Sequence, residues 1–182
     1  TRRTATVTNC TYVGVEVIAI DTLGLYAVSQ GISEDIAPKL GTFSLIALTV
    51  GYILGIILVP KHISQSQALA VSAILGFVFA IGALVSSGTT SIVFIILLSF
   101  AHAMMWPGIW PLAIDKLGSH TALGSAFLIM AIAGGAVLPL CYGQLVDCLD
   151  GNRHLPYIIT LPCYAMILYY SVWGHKIGKS KA

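Results

Sequence analysis

The chain has 182 residues, of which 57% are apolar and only 9% are Asp, Glu, Lys or Arg, with a formal net charge of +2. A soluble domain carries about 25% charged residues, so a soluble globular enzyme, a disordered tail, a coiled coil and a nucleic-acid binder are excluded. One membrane helix takes about 20 predominantly apolar residues, which leaves room for about six spans with short loops in one helical unit.

The sequence opens on Thr1 with no signal-peptide plan, and it reads as a piece of a longer protein. The first apolar run, 7–29, holds the first anomaly, Glu16. If the helix enters near Thr6, Glu16 stands roughly 15 Å in at 1.5 Å per residue. That is near the middle of a hydrocarbon core about 30 Å thick. A carboxylate there costs at least about 2.5–3.5 kcal/mol on the insertion scale and must face protein or water. Asn9 and Tyr12 fall on the same side of the helical wheel, so Asn9, Tyr12 and Glu16 form a polar stripe. The stripe is read as a substrate-hydroxyl acceptor or proton-binding site, against a structural glutamic acid bonded to a neighbouring helix. Asp21 lies further out, on another face, and suits packing or capping.

The second run is 43–59, stopped by Pro60, with Gly51 and Gly55 in a GxxxG that suits close helix contact. The third is 68–85, ended by Ser86-Ser87-Gly88. The fourth, 92–114, contains His102-Ala103-Met104-Met105-Trp106-Pro107-Gly108-Ile109-Trp110-Pro111. His102, Trp106 and Trp110 recur every four residues and share a face. Pro107 removes the donor for the Ala103 carbonyl, and Pro111 the donor for the Pro107 carbonyl. Broken helices are tolerated in a bilayer where they line a cavity. Indole faces also suit the C–H faces of sugars, so this stretch reads as the apolar floor of a binding site. The competing readings are an interfacial Trp belt, which weighs most on Trp110, and a satisfied neutral core residue for His102.

The fifth run is 122–146, where Gly134, Gly135 and Pro139 predict close contact and a bend. The sixth is 156–173. Pro156 suits a first helical turn, Pro162 predicts a kink, and Tyr169, Tyr170 and Trp173 read as an interface belt. The four cysteines (Cys10, Cys141, Cys148, Cys163) show no CxxC and no paired spacing with His, so they read as small core residues rather than metal or redox groups. No metal and no cofactor is expected.

Six spans put both ends on one side. That side holds Arg2, Arg3, Lys61, Lys116, Lys176, Lys179 and Lys181, against Lys39 and Arg153 on the other. The bias predicts cytoplasmic ends. A faint repeat relates 19–24 to 113–118 and 41–46 to 124–129. Three helices followed by three similar ones would be inverted relative to each other, the plan of many secondary transporters. The expected fold is therefore an all-α membrane protein of six transmembrane helices in a 3+3 inverted repeat.

Several segments resemble one family. Tyr12-Val13-Gly14-Val15-Glu16, Trp106-Pro107-Gly108-Ile109-Trp110-Pro111-Leu112 and Ile129-Met130-Ala131-Ile132-Ala133-Gly134-Gly135-Ala136 are similar to the fucose permease-like sugar transporters of the major facilitator superfamily, in particular the glucose/galactose permease group. Gly51-Tyr52-Ile53-Leu54-Gly55 and the stretch 169–176 are similar too. The resemblance implies that the chain is the C-terminal half of a twelve-helix fold, with a sugar site between the halves lined here by the first and fourth helices. It implies cation-coupled uptake, by proton or sodium, with the family's proton-carrying carboxylates in the other half.

The expected function is sugar import across the cytoplasmic membrane by alternating access. Asn9, Tyr12 and Glu16 would supply hydrogen bonds, Trp106 and Trp110 stacking faces, and His102 a neighbouring polar group. The expected partners are a sugar, a coupling cation, the lipid bilayer and the missing N-terminal half, with no nucleic acid. Two alternatives stand: a six-helix half-transporter that dimerises, and a membrane-embedded sensor or enzyme using His102, Glu16 and Asp21.

Overall fold

The computed structural model describes residues 2–59, 61–115 and 117–177. Pro60, Lys116, Lys179 and Lys181, used above as a stop signal and in the charge count, lie outside the described residues, as does the side chain of Arg2. Among the described residues the chain is helical and holds no strand.

The first span is two helices, α1 (Arg2–Asp21) and α2 (Leu23–Ser29), bent by 51° at Thr22. The Thr22 hydroxyl donates back to the Ile18 carbonyl at 2.6 Å and lies 2.8 Å from the Tyr157 hydroxyl. Such back-bonding from a threonine bends helices. The second span begins earlier than the apolar run, with a 3-10 turn at Ala37–Lys39 leading into α3 (Leu40–Leu58). Pro38 sits in the first turn of that 3-10 segment, where a missing N–H costs nothing.

Helix α4 (Gln65–Val85) starts on a capping box in which Ser64 and Gln67 satisfy each other's backbone N–H groups. It is followed by α5 (Gly88–His102), which begins at a glycine with φ +61°, and by α6 (Met105–Ile114). The break expected in this span falls at Ala103–Met104. Pro107 is thereby left in the first turn of α6, where its absent N–H has no intrahelical partner to lose. Pro111 does lie inside α6, and the Pro107 carbonyl it orphans accepts a hydrogen bond from Gln65 Nε2 at the start of α4.

The fifth span runs through α7 (Thr121–Met130), a 3-10 turn at Ala131–Ala133 and α8 (Gly134–Cys148). The sixth opens with a 3-10 segment, Leu155–Ile159, and continues as α9 (Thr160–Val172). Pro162 falls in the first turn of α9, so the mid-span kink expected of it does not occur. Five helical stretches are long and apolar enough to cross a membrane, and a sixth if α1 and α2 count as one bent span.

Helix α1 is the hub. It packs against α8 and α9 along its length and also touches α5, α6 and α7, while α4 packs on α5 and α9, and α3 on α5. Glycines set two of these crossings. At Gly134 a Cβ would stand 2.0 Å from the Cys10 carbonyl oxygen, so α8 lies directly on the α1 backbone. The Gly51–Gly55 pair of α3 makes the room that Ala103 and Met104 occupy at the α5–α6 break. The outward face of α3 carries Leu45, Ile46, Ile53, Ile56 and Ile57, all exposed. A contiguous apolar surface of that kind suits lipid, not water.

Two sequence expectations change at the ends of spans. Tyr169 and Trp173 are exposed and pair at 6.3 Å as an interface belt would. Tyr170 is instead fully buried in the core, because it points to the opposite side of α9. Of the cysteines, Cys163 is buried and Cys10 and Cys141 are half-buried, whereas Cys148 at the end of α8 is exposed.

Candidate functional site

The site grows from the side of α1 that faces α6. Tyr12 lies within this surface, and its ring touches two others: Trp106 at 6.2 Å between centroids and His102 at 6.2 Å, edge-on at 80°. Trp106 in turn lies 5.4 Å from Trp110 at a tilt of 37°. Both tryptophans are half-buried, so part of each indole remains open. One turn along α1, the Glu16 carboxyl stands close to the Tyr12 hydroxyl. Glu16 is half-buried as well. Glu16, Tyr12, Trp106 and Trp110 therefore form a continuous strip, acidic at one end and aromatic at the other.

Behind the strip lies a second layer. His102 is 0% exposed and donates to or accepts from the Tyr164 hydroxyl through Nε2 at 2.7 Å, with the two rings stacked at 5.8 Å. Its Nδ1 has no hydrogen-bond partner. His102 closes α5 just before the break at Ala103–Met104, which is what turns the ring inward onto α9. Tyr164 and Tyr52 both stand close enough to Glu16 to interact with it electrostatically.

The six residues singled out in the sequence divide into two groups. Glu16, Trp106 and Trp110 are partly open, and Tyr12 joins them from beneath, 1% exposed. Asn9 and His102 do not reach the open face in this conformation. Asn9 is 1% exposed, and its amide donates to the Leu128 carbonyl of α7 at 2.9 Å. That bond ties two helices together, an interaction the wheel position of Asn9 does not reveal. His102 is buried, bonded to Tyr164 through Nε2 and without a partner at Nδ1. Tyr52 and Tyr164 were missed as candidates. Tyr52 lies between the two glycines of the GxxxG, and that position is the one signal that could have drawn attention to it.

The chemistry available is recognition, not bond making. An indole pair offers an apolar floor for a ring of C–H groups, and Glu16 offers an acceptor at its edge. Among the described residues no group of three or more His, Cys, Asp or Glu is placed to hold a metal ion. An apolar cavity of about 110 Å³ lies elsewhere, between α3, α4 and the α5–α6 break. The strip is a surface of this six-helix unit.

The chain is similar to a glucose/galactose transporter of Brucella abortus, 33% identical over 116 residues, which is 64% of this chain and 28% of the relative. It is also similar to an L-fucose-proton symporter of Haemophilus influenzae, 29% identical over 176 residues, covering 92% of this chain and 40% of the relative. The chain thus spans less than half the length of these curated relatives. Among solved structures it resembles the fucose:proton symporter of Escherichia coli, a major facilitator superfamily transporter. The match to its outward conformation has a TM-score of 0.88 at 25% identity, over 93% of this chain and 41% of that one. No family model matches the chain. These relatives are transporters and not enzymes, and in sequence and helical fold this chain is similar to the major facilitator superfamily transporters, the fucose and glucose/galactose permeases among them.

Proposed function

We propose that this chain is the C-terminal half of a twelve-helix, cation-coupled sugar importer of the cytoplasmic membrane. Its six helices form a 3+3 inverted repeat, and both ends of the segment are cytoplasmic. The observation that carries the reading is the strip Glu16–Tyr12–Trp106–Trp110, drawn from α1 and α6 and left partly open. A site that belongs between two halves looks like this when one half is seen alone: polar and aromatic side chains gather on one partly open face. The sugar lies on the indole faces, and its hydroxyls bond to Glu16, which Tyr12 supports from beneath. Asn9 and His102 act one layer back, holding α1, α7, α5 and α9 in place.

The cycle is alternating access, in which the two halves rock about the central site and differential binding of sugar and cation biases the exchange. The bend between α1 and α2 follows Glu16 and the break between α5 and α6 precedes Trp106, so each helix of the strip ends in a place where such rocking can be absorbed. The printed names of the relatives favour a hexose or a 6-deoxyhexose as substrate and a proton as the coupling ion.

Uptake of labelled sugar into vesicles tests the assignment. Loss of a charge-assisted hydrogen bond of about 1.5–3 kcal/mol predicts a fall of tenfold or more in apparent sugar affinity for Glu16→Gln in the complete transporter. Trp106→Ala should fall by a similar factor, and Trp110→Ala by less. Wild-type uptake by both Glu16→Gln and Trp106→Ala, at normal expression, refutes the site.

A further inference from the structure

Helices α3 and α4 are joined by a tight turn, in which the Leu58 carbonyl accepts from the His62 N–H at 2.9 Å and the Ile63 N–H at 3.2 Å. Both helices pack on α5. The space between them is the apolar cavity of about 110 Å³. Its inner wall includes Met104, at the α5–α6 break. Leu54 and Leu58 of α3 and Val71 of α4 also line it, and all three are exposed, so the cavity opens at the surface of the unit. The residues of α3 that line it run from Gly51 to Leu58, about 10 Å along the axis at 1.5 Å per residue.

The lining narrows what can fill this space. Ser72 is its one polar side chain, and a buried water needs two to four polar partners. Left empty, the walls forfeit dispersion contacts. An apolar cavity of about 150 Å³ takes a benzene-sized molecule, so this one takes a short length of hydrocarbon chain. A chain entering from the bilayer surface runs parallel to α3 through the same depth. The turn supplies the other half of the site. Lys61 and His62 are exposed on it, and the residues flanking them, Val59 and Ile63, line the cavity. A lysine cation and an imidazole N–H thus stand at headgroup level over an apolar slot. None of the lining residues is acidic.

We infer that the α3–α4 groove binds an anionic phospholipid, with one acyl chain in the slot against Met104 and the headgroup phosphate on Lys61 and His62. Basic residues at the ends of membrane helices hold anionic headgroups in this way. Met104 lies two residues before Trp106, so the bound chain braces the α5–α6 break beside the aromatic strip. Placing the lipid in the cytoplasmic leaflet rests on the orientation proposed above. Lipid binding itself is read with no sugar and no gradient present, so its failure leaves the transport reading untouched.

The test is native mass spectrometry of the complete transporter, released from discs of equal parts phosphatidylglycerol and phosphatidylcholine. The last lipid to leave as collision energy rises should be phosphatidylglycerol rather than phosphatidylcholine by about fivefold, the contribution of one lysine beside an anionic surface. Lys61→Gln should bring that ratio close to one while a lipid is still retained. Ser72→Leu, which fills the slot, should lose the retained lipid of either kind. Excess inorganic phosphate should not displace it, because the chain holds it as well as the headgroup. Equal retention of the two lipids by the wild type overturns the inference, as does a preference that survives Lys61→Gln. Displacement by inorganic phosphate overturns it by reducing the site to a headgroup contact. Unchanged retention in Ser72→Leu overturns it too, and would leave the slot to a helix of the missing half. If Ser72→Leu folds poorly, Lys61→Gln and the phosphate competition decide the matter.

Discussion

Gly134 and Gly143 lie on the same helix, α8, and substitution by alanine should move them in opposite directions. A Cβ at Gly134 would stand 2.0 Å from the Cys10 carbonyl oxygen and 2.8 Å from the Cys10 Cα, whereas a Cβ at Gly143 meets nothing within 4 Å. Contacts below 3.0 Å essentially never occur for a real Cβ. The obstacle at Gly134 is backbone, so no rotamer change relieves it, and α1 and α8 must part by about 1 Å at this crossing. Overpacking of this kind costs about 1–3 kcal/mol, partly offset by the roughly 0.8–1.0 kcal/mol that alanine gains over glycine inside a helix. At Gly143 only the gain remains. Thermal unfolding of the complete transporter in detergent should therefore place Gly134→Ala below wild type and Gly143→Ala level with or above it. Cys10 precedes Tyr12 by half a turn, so parting the helices also displaces the Glu16–Tyr12–Trp106–Trp110 strip, and Gly134→Ala should lose uptake beyond its loss of stability. A Gly134→Ala protein as stable as Gly143→Ala would show that α8 does not lie on the α1 backbone.

Two further substitutions separate structural roles from recognition. Asn9→Leu removes the bond to the Leu128 carbonyl, and should lower stability by about 0.6–2 kcal/mol while the apparent sugar affinity of the folded fraction stays within about twofold; a selective tenfold loss of affinity would return Asn9 to the binding face. Gln65→Leu strips the donor from the Pro107 carbonyl, leaving a buried acceptor unsatisfied at about 1–3 kcal/mol. Melting should fall accordingly and protease cleavage near the α5–α6 break should accelerate, whereas an unchanged melt would mean that the carbonyl finds water instead.

The sequence by itself determined the class and much of the plan. Near-absence of charge forces the chain into lipid, because so apolar a set of helices has no stable place in water. Backbone bonds must be satisfied inside each span, so every span is a helix. It also placed Glu16 with Tyr12, and Trp106 with Trp110, on one face of their own helices, since the 3.6-residue repeat fixes angle within one helix. It does not fix which helix lies opposite. Asn9 and Glu16 share a stripe on the wheel, yet α7 covers one and leaves the other partly open. His102 and Trp106 share a face by spacing, yet the chain breaks between them and sends the histidine onto Tyr164. The Pro107 carbonyl was legible as an orphan, but its partner, Gln65, is 42 residues away and follows only from the packing of α4 on α6. The hydrogen bond between Tyr26 and His154 joins residues 128 apart and carries no local signature. Helical periodicity resolved direction within each span, and the packing of neighbouring helices decided which of those directions are open and which are filled.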